Sequence, residues 1–240
     1  VDLRGSPVKG GDGRFLARVF TAAERDRIAA ATHPEIVLWS LWAVKEGAYK
    51  AAVKMDPAVP FLPRRYEARP EGEGEGALKG RPALPPSPAE VRTTTGEVAT
   101  PLGPMSFLTA ENGLCVHAVV APKGSRVMGA VFTGVTEPSG EDPSRLLRRL
   151  VRGVCASVLG VSSGGVAVLR RRRGRGLGPP EVLLDGRPCP IDLSLSHDGP
   201  YGAFALLILP GVPGVSEPSE LGHGSACGEH LNPFSPLFLT

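Results

Sequence analysis

The chain has 240 residues, 42% of them hydrophobic and 21% charged, enough for one large domain or two small lobes around a core that folds alone. Its 31 Gly and 25 Pro stop just short of the roughly 25–30% combined share at which low-complexity disorder is the default. This excludes an all-helical bundle and predicts a compact core with long irregular segments. The formal net charge of +3 hides a local excess: residues 145–175 hold nine Arg and no acid, whereas residues 1–144 balance 17 basic against 17 acidic side chains.

A basic stretch of that kind invites a polyanion. It carries no interleaved aromatic residues for base stacking, so the expectation is an acidic protein partner or a solvated face, and no nucleic acid. No apolar run approaches the ~18 residues of a membrane span, and no basic-then-apolar leader opens the chain. A soluble, cytoplasmic protein is expected. The four cysteines, Cys115, Cys155, Cys189 and Cys227, form no CxxC pair or metal-ligand spacing and are expected as thiols.

In chain order, Arg14 to Ala30 reads as two helical pieces, with Thr21 as N-cap of the second and Glu24 completing a capping box. A long helix follows from about Glu35 to Lys54, where Leu38, Leu41, Trp42, Tyr49 and Val53 recur at helical spacing. Residues 56–104 are rich in Pro and Gly and predict irregular chain with a short strand near Val91–Val98. Strands are expected at Met105–Leu108, Leu114–Val120 after an Asn112-Gly113 turn, and Val127–Val135. Residues 143–159 form an amphipathic helix with Leu146, Leu147, Leu150, Val154 and Val158 on one stripe. Strands follow at Val166–Arg170, Glu181–Leu184, around Leu193 and at Tyr201–Leu209, and residues 211–240 are expected to be a disordered tail.

Helix-then-strands occurs twice. This predicts an α+β protein of two pseudo-symmetric lobes, each a long helix packed on a small antiparallel sheet. The first lobe would span residues 1–135, with 56–104 as an irregular insertion, and the second residues 136–210.

Three motifs carry chemistry. In Trp42-Ala43-Val44-Lys45-Glu46-Gly47-Ala48-Tyr49-Lys50-Ala51, Glu46 and Lys50 are four apart and share one helix face. Such a pair is common as surface decoration, but Trp42 and Tyr49 beside it point to a groove. In Leu193-Ser194-Leu195-Ser196-His197, alternation puts both serines on one face and His197 at the strand end, where a hydroxyl and an imidazole could hold a phosphate or simply cap a turn. A Ser–His nucleophile pair is disfavoured because adjacent strand residues point to opposite sides. Gly186-Arg187-Pro188 is a tight turn presenting one guanidinium.

Taken together and in this order, WxxKExxxKA, GRP and SLSH before a small-residue strand resemble the 4′-phosphopantetheinyl transferase superfamily, with the motif order of its holo-acyl-carrier-protein-synthase-like members. Arg14–Thr21 is similar to that family's first helix, and the resemblance covers about residues 1–55 and 140–208. It implies that Glu46 coordinates Mg²⁺ and handles the acceptor serine's proton, and that Lys50 contacts the coenzyme A diphosphate and leaving group. It further implies that Lys45, Arg187, Ser196 and His197 bind coenzyme A. Asp2 matches the second acid of a two-acid metal opening, whose principal Asp would lie three residues before it, ahead of Val1. Gly47 stands where the family usually has Ala, and Asp198 puts a negative charge beside the implied phosphate site.

The implied activity is Mg²⁺-dependent transfer of 4′-phosphopantetheine from coenzyme A to a serine of an acidic acyl or peptidyl carrier protein, as in fatty acid or polyketide biosynthesis. Such a reaction must neutralise a diphosphate, which carboxylate-held Mg²⁺ and basic side chains do. The alternatives are a catalytically dead member that only binds coenzyme A or a carrier protein, and a basic interaction module. Because the motifs are split between the two units, a monomer with its site between the lobes is expected.

Overall fold

The computed structural model describes residues 1–3, 12–72, 90–123, 125, 127–132, 143–173 and 176–208. Among the described residues the architecture is α+β, with four α-helices on two antiparallel sheets. The expected disordered tail, 211–240, lies outside the described residues.

Helix α1 (Gly13–Val19) starts where the Asp12 carboxylate accepts from the Arg14 and Phe15 backbone N–H groups. Helix α2 (Ala22–Ala30) has the predicted capping box: the Thr21 hydroxyl accepts from the Glu24 N–H at 3.3 Å and the Glu24 carboxylate from the Thr21 N–H at 2.8 Å. Helix α3 (Pro34–Met55) opens on a proline, whose missing N–H would be unpaired in the first turn anyway. It lies against a four-stranded sheet ordered β1 (Ala68–Gly72), β2 (Arg92–Val98), β3 (Met105–Glu111) and β4 (Val116–Ala121). Phe20, Leu38, Leu41, Val44, Tyr66, Val98 and Phe107 fill the core between them. Strand β1 is a difference from the sequence reading, which leaves 68–72 irregular. Its Arg-Pro-Glu-Gly has no strand pattern, and it is held as an edge by backbone pairing to β2.

Helix α4 (Pro143–Leu159) covers the second sheet, whose order is β5 (Val127–Phe132), β9 (Tyr201–Ile208), β8 (Arg187–Asp198), β7 (Gly176–Leu184) and β6 (Val166–Arg173). The fully buried row on α4 is Leu147, Val151, Cys155 and Leu159, with Leu146, Leu150, Val154 and Val158 half-buried. The apolar face is two rows wide, and contact with the sheet selects the row centred on Val151. Strand β5, read from sequence order as part of the first unit, pairs along β9 from Val127↔Leu207 to Phe132↔Gly202. It occupies an edge of β9 that would otherwise be open.

The two layers meet where Leu108, Val119 and Ala121 pack on Ala205 and Leu207, and where Cys115 packs on Ala203 and Tyr201. Residues 1–3 run antiparallel to 114–116, through Leu3 N–H to the Leu114 carbonyl at 3.0 Å and Val116 N–H to the Val1 carbonyl at 2.9 Å. Among the described residues, no helix is long and apolar enough to cross a membrane.

Candidate functional site between the two layers

A cleft of about 830 Å³ opens where the layers meet, within the size range of small-molecule sites. One wall is a single face of α3: Trp39, Ala43, Glu46, Lys50 and Lys54, spaced three or four apart as one helical row requires. The floor is β4, and the facing wall is the end of β8 with β9, including Ser194, Ser196, His197, Asp198 and Phe204. Glu46, Lys50, Ser196 and His197, far apart in the chain, thus line one cavity.

Close approach of α3 to the floor depends on Gly47. A Cβ added there would lie 2.9 Å from Val120 Cγ2 and 3.9 Å from the Ala118 carbonyl, so an Ala at this position would press on the strand. Burial lowers the Lys50 pKa, against the opposing pull of the Glu46 carboxylate. One turn on, the Lys54 ammonium donates to Asp192 at 2.7 Å and to the Leu193 carbonyl at 2.8 Å, tying the end of α3 to β8 across the cleft.

Lys45 points elsewhere. Its ammonium donates to the Glu24 carboxylate at 2.8 Å, the Tyr66 carbonyl at 2.7 Å and the Pro63 carbonyl at 3.1 Å, which uses all three of its donors. Both Lys45 and Glu24 are fully buried, and Glu24 also accepts from the Ala68 N–H. The sequence reading found Glu24 as a cap and missed this pairing, because nothing local links positions 24 and 45. Arg187 is exposed on the β7–β8 hairpin and does not line the cleft, although Pro188 and Cys189 next to it do.

Asp2 is buried in its bridge to Cys115. Its N–H donates to the Asp198 carboxylate at 2.9 Å, and its side chain packs against Gly199. Gly199 takes a positive φ of 52° in the β8–β9 turn, so a side chain there would be both strained and obstructed. Asp2 is not among the cleft-lining residues; Glu46 and Asp198 are.

Among the described residues, no three His, Cys, Asp or Glu side chains gather as a cation site. Mg²⁺ commonly takes only one or two protein carboxylates and completes its shell with phosphate oxygens and water. The donor set of the cleft fits that mode through Glu46.

A carboxylate, an ammonium, a hydroxyl and an imidazole around one groove can receive a phosphate ester and an attacking hydroxyl. Residues 1–71 match the family model of the 4′-phosphopantetheinyl transferase superfamily. The resemblance read from the combined motifs is borne out over that stretch, which includes Asp2, Lys45, Glu46 and Lys50. The superfamily match stops before Arg187, Ser196 and His197. No curated protein and no solved structure matches the chain.

Proposed function

We propose that this protein transfers the 4′-phosphopantetheine arm of coenzyme A to a serine hydroxyl of an acyl or peptidyl carrier protein and releases adenosine 3′,5′-bisphosphate. The observation that carries this reading is the convergence of Glu46, Lys50, Ser196 and His197 on one cleft of a single chain whose first 71 residues match the superfamily. The serine Oγ–H bond breaks, Oγ bonds to the phosphorus bearing the pantetheine, and the anhydride P–O bond to the bisphosphate breaks. Glu46 receives or relays the serine proton. The Lys50 ammonium faces the charge left on the departing oxygen, and its partly desolvated position strengthens that interaction. Ser196 and His197 hold phosphate oxygens at the opposite wall. Mg²⁺, held by Glu46 and phosphate oxygens, would supply charge neutralisation of the diphosphate.

The arginines of α4 and β6 support an acidic partner. Arg145, Arg149, Arg152, Arg170, Arg171 and Arg172 are all exposed, and complementary charge steers encounter. The carrier would dock on that side of the second layer and present its serine to the cleft.

The test is transfer to an apo carrier protein, read as the mass gained on its serine. Wild-type chain with Mg²⁺ is expected to modify the carrier, and Glu46→Gln to lose at least about 100-fold, roughly 2.7 kcal/mol at 1.36 kcal/mol per decade. Activity of Glu46→Gln within threefold of wild type defeats the assignment of Glu46. Coenzyme A binding without any transfer by the wild type leaves the binding-only reading in its place.

A further inference from the structure

Two buried side-chain polar atoms among the described residues lack a hydrogen-bond partner, Ser106 Oγ and His117 Nε2. Ser106 does not line the cleft, whereas His117 does. His117 is on β4, opposite Ala110 of β3, and is 7% exposed. Its ring reaches across the junction to hydrogen-bond the Phe204 backbone of β9. Since Nε2 has no partner, that bond is made by Nδ1–H to the carbonyl. One ring nitrogen is therefore spent on the second layer, and the other keeps an unpartnered lone pair, buried in a side chain that belongs to the floor of the cleft.

We infer that His117 Nε2 is the hydrogen-bond acceptor for an N–H or O–H group of bound coenzyme A. The inference rests on the transferase reading and adds to it a positioning residue that none of the sequence motifs contains. Three observations support it. A buried acceptor without a partner weakens the folded state, so a site that retains one gains when a ligand fills it. The Nδ1–H bond fixes the tautomer, so Nε2 accepts and cannot donate. Phosphate oxygens are themselves acceptors and are repelled by that lone pair, so they are left to Lys50, which is close enough to act on the imidazole electrostatically. Burial also lowers the His117 pKa to about 4, which keeps the ring neutral at physiological pH. The floor thus sorts the ligand, with anionic groups toward the ammonium and a neutral donor toward the imidazole. Coenzyme A carries such donors on both halves, as amide N–H and hydroxyl groups of the pantetheine arm and as the amino group of adenine.

The experiment is a calorimetric titration of the full chain with coenzyme A, with 4′-phosphopantetheine and with adenosine 3′,5′-bisphosphate, for wild type, His117→Phe and His117→Gln. His117→Phe is expected to weaken coenzyme A binding at least tenfold with a melting temperature within a few degrees of wild type. His117→Gln, whose amide oxygen reaches a similar position, is expected to recover to within threefold. A matching loss for phosphopantetheine alone puts the donor on the arm, and one for the bisphosphate alone puts it on the adenosine; either supports the inference. Equal binding of coenzyme A by His117→Phe and wild type overturns it, as does equal weakening by Phe and Gln. A readout that needs no variant is the imidazole ¹⁵N spectrum of the wild type, where Nε2 must move on saturation with coenzyme A; an unmoved resonance also overturns it. A wild-type chain that binds no coenzyme A refutes the transferase reading itself, whereas binding that ignores His117 refutes only the role given to His117.

Discussion

The two faces of α3 carry the same chemistry to opposite ends. Lys45 and Glu46 are neighbours in sequence, each near an opposite charge: Lys45 in an ion pair with Glu24, and Glu46 within the electrostatic reach of Lys50, four residues on. Successive helix positions differ by about 100° around the axis, so Lys45 turns into the core under α2 while Glu46 turns into the cleft. The core pair has every ammonium donor engaged and no access to water. The cleft pair is half-buried and faces about 830 Å³ of open space. An ion pair with all its bonds satisfied holds structure, whereas a carboxylate and an ammonium that face a cavity and act on each other only electrostatically are available to a ligand.

The strongest way to break this contrast is to remove the core ammonium. Lys45→Met leaves the Glu24 carboxylate buried and uncompensated, and should cost about 3–5 kcal/mol of folding stability, measured from the urea unfolding midpoint. Adding Glu24→Gln should restore part of it, because the amide oxygen still accepts from the Ala68 N–H. If Lys45 were instead a coenzyme contact, Lys45→Met would unfold normally and bind coenzyme A poorly.

The cleft lysine should behave in the opposite way. Burial lowers the Lys50 pKa from its ordinary 10.5, so in the window between the folded value and 10.5 the unfolded chain binds more protons than the folded one. Stability attributable to Lys50 must therefore rise with pH across that window. Under the role proposed for Lys50, coenzyme A affinity should fall across the same window, because the ammonium proposed to meet the phosphates is lost. Titrations of binding and of unfolding as a function of pH check the opposed slopes. Lys50→Arg should remove both, since guanidinium stays charged throughout. Parallel slopes would mean that Lys50 does not meet the phosphates.

The smallest effect is expected at Gly47, which sits between the two faces and sets the distance from helix to floor. Gly47→Ala gains about 1 kcal/mol of helix propensity but forces a methyl against Val120 Cγ2, and overpacking costs about 1–3 kcal/mol. A net loss of about 1 kcal/mol should lower the melting temperature by roughly 2–4 °C in a chain of this size. A rise in melting temperature would mean that Val120 yields and that the closeness of α3 to β4 is not set by Gly47.

Local physics in the sequence determined a large part of this protein. The Thr21–Glu24 box, the span of α3, the helix at 143–159, the Asn112-Gly113 turn and the row of Glu46 and Lys50 all follow from capping, periodicity and turn chemistry over a few residues. So did the resemblance, because its motifs are short and contiguous. The tertiary structure decided what depends on distant segments meeting. Glu24 found Lys45, Val127–Phe132 joined the far sheet through an edge left open on β9, and Val151 rather than Leu150 took the centre of the buried face of α4. His117, an unremarkable position in an alternating strand, became a buried acceptor only because Phe204 lies across the junction. Arg187 and Asp2 show the same limit from the other side: their motifs were legible, but whether a guanidinium or carboxylate reaches the cleft is set by how the β7–β8 hairpin and the 1–3 segment pack. Periodicity places a side chain on a face of its own element, and only packing places that face against another.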